Sequence, residues 1–229
     1  MNLIKENWYQ EDIKEFNNYL MSIQNKDKIT WTKNIVNTNQ QVLAIKTKEL
    51  KDIVKQIYKG NYLSFLDKMK FNIYETTIIY AHLIVRIKEF KLMKKYLDIY
   101  SNNVDNWSSC DTLKFNIKNN IENYKRLVKE YIKSNKTFKR RIGIIILFEF
   151  LKQKEIDFIF NIINELKPEQ EYYVNMAIAW LLCECFIKEQ NKTIEYLNNN
   201  DINTFVKNKM IQKCRDSFRV DNKDLLKIK

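Results

Sequence analysis

Two glycines, Gly60 and Gly143, and one proline, Pro168, occur in 229 residues. Tight turns between strands draw on Gly and Pro as well as Asn and Asp, so a strand-rich fold would lack half of its turn vocabulary here. Asparagine is plentiful, which leaves the decision to periodicity. Apolar residues recur at helical spacing throughout: Ile13, Phe16, Tyr19 and Leu20; Leu50, Ile53, Val54 and Ile57; Leu92, Tyr96, Leu97 and Tyr100; Ile121, Tyr124, Leu127, Val128, Tyr131 and Ile132. Such stripes predict amphipathic helices. Asn- and Lys-rich clusters at 101–103, 134–136 and 198–203 punctuate them, and Pro168 marks a helix that has already ended by Leu166.

The helices also repeat. Phe138–Leu151 aligns in hydrophobic register with Tyr173–Phe186, 35 residues later, and each is followed by a second helical pattern, Ile156–Leu166 and Thr193–Leu197. Tyr74–Val85 followed by Phe90–Tyr100 reads as an earlier copy. Repeated helix pairs of this length predict an all-α fold, an α-α superhelix or HEAT-like repeat solenoid, occupying residues 1–229 as a single domain. An ordinary helical bundle is the alternative that the same register allows.

Hydrophobic residues make up 45% of the chain, enough for a packed core, and the formal net charge is +12, from 40 Lys+Arg against 28 Asp+Glu. A chain this basic attracts polyanions, namely DNA, RNA or an anionic membrane; a Lys-rich habit that serves solubility is the bland reading. From Lys114 to Glu155 twelve Lys/Arg face four Glu, a surplus of eight and two-thirds of the whole excess. Within it, Lys139, Arg140 and Arg141 sit where a loop enters a very apolar helix, which suggests side chains projecting together toward a phosphate. The N-terminus has no signal-like apolar run, and no apolar stretch approaches the roughly 20 residues of a membrane span. Cys110, Cys183, Cys185 and Cys214 match no zinc or disulfide spacing and read as small apolar fillers in a reducing cytoplasm; no metal or cofactor is expected.

His82, the only histidine, lies on an apolar helix with no Ser, Cys or Asp partner evident, so it reads as structural and a histidine-dependent nucleophile is excluded. With two glycines there is no phosphate-cradling loop. The segment Val104–Asp111 is more suggestive. Trp107 and Asp111 are four apart and share a helix face, after Asp105 and Asn106, both capping residue types. An indole beside a carboxylate suits a cationic ligand; a buried Trp with a capping or ion-paired Asp explains the same residues. Trp180, near Tyr172, Tyr173, Asn175 and Met176, sits mid-helix, where Trp usually packs in the core.

The stretches VDNWSSCD (104–111), FKRRIGI (138–144), YYVNMAIAWLLCECF (172–186) and NKMIQKCRDSFRV (208–220), with TNQQVLAIKTKELKDI (38–53) more loosely, resemble the DNA alkylation repair family, the AlkC/AlkD-type HEAT-like repeat DNA glycosylases. The resemblance covers roughly residues 30–220. It implies an α-solenoid that cradles duplex DNA and excises cationic N3- and N7-alkylated purines without flipping the base. By the same resemblance Trp107 and Trp180 pack against the lesion nucleotide and its sugar. Asp111 stabilises positive charge on the deoxyribose and positions water. Arg141, with Arg140, Lys139, Lys46, Lys48, Asn175, Lys209 and Lys213, forms the expected DNA-binding set. Duplex DNA with alkylated bases is the expected partner of a monomer.

Two departures from the family stand out. Where many relatives carry Gly-Val-Arg-x-Pro, this chain has Ala44-Ile45-Lys46-Thr47-Lys48. The segment between Lys26 and Lys46 looks too short and polar for the second full helix of larger relatives, and losing it would weaken the clamp on DNA. A non-catalytic module binding damaged, bent or branched DNA is therefore the alternative function, and a protein-interaction solenoid is a third.

Overall fold

A computed structural model describes residues 1–228 and is all-α. In chain order the helices are α1 (Gln10–Ser22), α2 (Ile29–Val36), α3 (Thr47–Lys59), α4 (Tyr62–Lys68), α5 (Tyr74–Ile84), α6 (Phe90–Asn103), α7 (Trp107–Asp111), α8 (Ile121–Tyr131), α9 (Thr137–Lys152), α10 (Ile156–Glu165), α11 (Tyr172–Lys188), α12 (Gln190–Asn199) and α13 (Thr204–Arg215). The only β feature among the described residues is an isolated bridge between Gln41 and Ile73. No described helix is long and apolar enough to cross a membrane. The chain divides into two compact units at Lys114/Phe115.

In the second unit helices occupy the two pairs of segments that align in the sequence. Helices α9 and α11 are apolar on nearly every face, and a helix of that kind is stable only when covered all round. Accordingly α9 packs against α8, α10 and α11, while α11 packs against α9, α12 and α13. The pairs α9/α10 and α11/α12 are the two copies read from the sequence. Each buried Ile, Leu or Phe in this stack contributes about 1.5–3 kcal/mol. The amphipathic α8 lays Tyr124, Leu127, Val128 and Tyr131 onto α9. Close approach there requires Gly143: a Cβ would stand 3.2 Å from Ile132 Cγ2 and 3.3 Å from Tyr131 Cβ.

In the first unit α5 is the central helix, with nine of its eleven residues buried, and α3, α4, α6 and α7 pack around it. The segment after Lys26 differs from expectation. It holds a 3-10 turn at Lys26–Lys28 and then a genuine helix, α2, although only eight residues long. Asn37 ends α2 in the left-handed conformation (φ 54°), which Asn tolerates better than most residues. Residues 38–46 then run extended and largely buried. Ala44 in this stretch also has a positive φ, 56°, a conformation that glycine adopts freely and alanine only under strain.

At Gly60 an added Cβ would lie 2.5 Å from the Lys5 carbonyl oxygen and 2.7 Å from its nitrogen. The same turn binds the N-terminal segment through Asn61 N–H donating to Lys5 O at 2.8 Å. Gly60→Ala is therefore expected to cost about 1–3 kcal/mol. Gly143→Ala should be milder, because a gain of roughly 1 kcal/mol in helix propensity offsets its side-chain crowding. Denaturant unfolding of both variants tests this order.

Candidate nucleic-acid and catalytic site

The Trp107/Asp111 pair lies on α7, only five residues long. A helix so short cannot hold itself, so its position depends on tertiary hydrogen bonds. Asn106 is its N-cap: the fully buried side chain accepts from Ser109 N at 2.9 Å. Asp105 does not cap. Its carboxylate accepts from Thr38 Oγ1 at 2.7 Å, from Asn39 N at 2.8 Å and from Asn106 Nδ2 at 3.0 Å, which joins α7 to the extended segment after α2. Trp107 makes a second tie, donating from Nε1 to the Ile35 carbonyl at 3.1 Å. Tyr74 Oη and Ser108 Oγ lie 2.7 Å apart, and Tyr100 Oη donates to Ser109 O at 2.9 Å.

Five residues that present two functional candidates are thus pinned from α2, α5, α6 and the extended segment. Trp107 and Asp111 are both only partly buried, so neither side chain is consumed by the core. The indole has one edge fixed and is partly exposed, and the carboxylate stands one turn away at the end of α7.

The extended segment is anchored at its other end by Glu75, which is 1% exposed and whose carboxylate accepts from Leu43 N at 3.0 and 3.2 Å. Burial pushes its carboxyl above the ordinary range, opposed by backbone N–H groups of Leu43, Ala44 and Ile45. Neither Glu75 nor Asp105 was singled out for this role from sequence. Glu75 did carry a signal: it is a lone carboxylate in an otherwise apolar helix, and such a group needs dedicated partners.

Beside α7 in the same unit is a cavity of ≈ 350 Å³ lined by residues of α3, α5 and α7 together with the extended segment, among them Ser108, Thr112, Tyr74 and His82. His82 is half-buried. Burial first, then the charges of Arg86, Lys51 and Lys114, lowers its pKa and favours the neutral ring.

In the second unit Trp180 is partly exposed, tilted against Phe148 with ring centroids 4.4 Å apart. The three basic residues at the start of α9 do not project together as the sequence suggested. Successive helical residues point about 100° apart, and each finds its own partner. Arg141 is 5% exposed and donates to the Tyr173 carbonyl. Arg140 grips Glu169 with Nε (2.6 Å) and Nη2 (3.1 Å) and donates to Ser134 O (2.9 Å). Lys139 stands over the Tyr131 ring at 4.6 Å. Asn175, also in the expected DNA-binding set, is buried and donates to Glu169 O at 3.3 Å. Lys209 reaches Gln212 at 3.0 Å, while Lys213 is half-buried and Lys46 and Lys48 are exposed.

Burial raises the Glu169 carboxyl, but the Arg140 guanidinium and the backbone N–H groups of Glu171 and Gln170 outweigh it and hold the pKa below its ordinary value. A carboxyl depressed in the fold contributes stability above its unfolded pKa and loses it as pH falls through the folded one. Wild-type stability should therefore decline on acidification below about pH 4.5 more steeply than that of Glu169→Gln. Arg140→Ala, which removes the ion-pair partner of a largely buried carboxylate and leaves it only backbone N–H donors, should cost about 3 kcal/mol. Equal acid slopes in wild type and Glu169→Gln would contradict this assignment.

Residues 16–211 match the family described as DNA alkylation repair enzyme. No match is found among curated proteins. The matched span covers most of the chain and takes in α2 through α12, including α7 with Trp107 and Asp111. This chain belongs to the DNA alkylation repair enzyme family.

Proposed function

We propose that the chain is a DNA glycosylase that excises N3- and N7-alkylated purines from duplex DNA without flipping the base. The observation that carries this is the pinned five-residue helix α7, which holds an indole and a carboxylate one turn apart and partly exposed, in a chain of a DNA-repair enzyme family. An alkylated purine carries a positive charge and departs as a neutral base when its bond to C1′ breaks. The positive charge then passes to the sugar. Asp111 stabilises that charge and orients the water that attacks C1′; the proton water gives up passes to the carboxylate or to solvent. The face of Trp107 attracts the cationic base before cleavage. No histidine or metal takes part.

Duplex binding falls to the exposed Lys46 and Lys48 in the first unit and to the half-buried Lys209 and Lys213 in the second, with Trp180 offering the exposed part of its ring to the DNA. Arg140 and Asn175 serve the fold of the second unit, and Arg141 works from a largely buried position. The eight-residue α2 gives a specific reason to keep the second reading, a module that binds damaged DNA without cutting it.

Release of 7-methylguanine or 3-methyladenine from alkylated duplex DNA tests the proposal. Asp111→Asn should lower release by about 10²–10³-fold and leave DNA affinity nearly unchanged. Lys46→Ala should weaken binding uniformly across sequences and reduce the salt slope by about one. Salt-sensitive binding by folded protein with no release above the uncatalysed rate would favour the non-catalytic module.

A further inference from the structure

The cavity beside α7 is not used by the mechanism above, and its chemistry does not suit the substrate. Its volume is ≈ 350 Å³. Buried Ile45, Leu50 and Ile78 supply apolar wall. The neutral polar lining includes the Tyr74–Ser108 hydroxyl pair, the hydroxyls of Thr32, Thr47 and Thr112, the Asn25 amide and the imidazole of His82. These groups are neutral and offer both donors and acceptors; His82 has two ring nitrogens, one of each kind in the neutral tautomer. Lys28 and Lys46, both exposed, stand at the rim. Glu75 also borders the space, but its carboxylate faces backbone N–H groups of the extended segment.

This lining selects by charge. Cations at the rim and a ring that favours its neutral form disfavour a positively charged ligand, whereas a flat, neutral, hydrogen-bonding heterocycle gains apolar contact on its faces and partners at its edge. Position sharpens the identity. Ser108 and Thr112 line the cavity and directly follow Trp107 and Asp111 in the chain, so the cavity adjoins α7 about 100° round its axis from that pair. A base set free at that pair need pass only to the adjoining side of α7 to reach the cavity, and it has just changed from the cationic form to the neutral one.

We infer that this cavity binds the free, neutral purine base after excision, a product site distinct from the place where the glycosidic bond breaks. The inference rests on the glycosylase reading for the origin of the base, but occupancy of the cavity can be measured without catalysis. His82 is the only histidine, so its ring gives a single, unambiguous NMR signal. Titration of the unliganded protein with free 7-methylguanine or 3-methyladenine should move that signal saturably. Inorganic phosphate at matched concentration should not. Thr47→Tyr, at an exposed rim position, should weaken the base about tenfold or more while leaving thermal stability unchanged; Ser108→Ala provides a second, interior variant.

A His82 signal unmoved by bases up to about 5 mM in natively folded protein overturns the inference, as does an equal response to phosphate. Excision without base binding defeats the product site and leaves the glycosylase reading standing. Base binding without excision upholds the cavity as a neutral-base site and defeats the glycosylase reading.

Discussion

The extended segment from Asn37 to Lys46 imposes the constraint on which the first unit depends. Buried backbone without a helix or a sheet must find partners for each N–H and C=O. Here many of these groups are satisfied by side chains, by one isolated bridge and by the backbone of Asn25. Asn39 N donates to Asp105, Gln40 N to Thr38 Oγ1, Gln41 N to Asn72 O and Leu43 N to Glu75, while Gln41 O and Leu43 O accept from Tyr74 N and Asn25 N. Two carboxylates therefore do what a neighbouring strand would do in a sheet. One of them, Asp105, adjoins the N-cap of α7. The placement of Trp107 and Asp111 is in this sense a by-product of satisfying an irregular backbone several helices earlier in the chain.

The second unit solves a different problem with the same economy of means. Stacking α9 against α11 brings the start of α9 near the loop that precedes α11. Arg140 and Arg141 fill that junction by bonding Glu169 and the Tyr173 carbonyl. Arginine suits the task because its planar fork satisfies several acceptors at once and stays charged when buried. Two of the twelve positive charges in the middle of the chain thus hold α9 to the start of α11. The cations left for phosphate are the exposed and half-buried lysines, whose contribution is expected to be sensitive to salt.

The helices were legible in the sequence because their stripes are physical: Leu50, Ile53, Val54 and Ile57 are buried in α3 just as their spacing requires. The two long apolar helices α9 and α11 were legible as well, since their segments share a hydrophobic register. So was the turn joining Trp107 to Asp111, because four residues make one turn of helix. Helix α2 was not, since eight residues with only one buried side chain leave no stripe to detect. The basic run 139–141 misled because sequence shows charge and hides the acceptor, and Glu169 lies 29 residues away. The two anchoring carboxylates escaped for the same reason: Asp105 finds Thr38 across 67 residues. Interactions that close over long sequence distances are those that periodicity cannot report.

The central claim is that a backbone-anchored α7 presents Trp107 and Asp111 to the damaged nucleotide. It is tested most directly by a crystal structure of the protein on duplex DNA bearing one non-hydrolysable cationic purine nucleotide. The account predicts the Trp107 ring and the Asp111 carboxylate in contact with that nucleotide, with the Trp107–Ile35 hydrogen bond intact. DNA seated on a face that excludes α7, or a lesion contacted by neither residue, would contradict it.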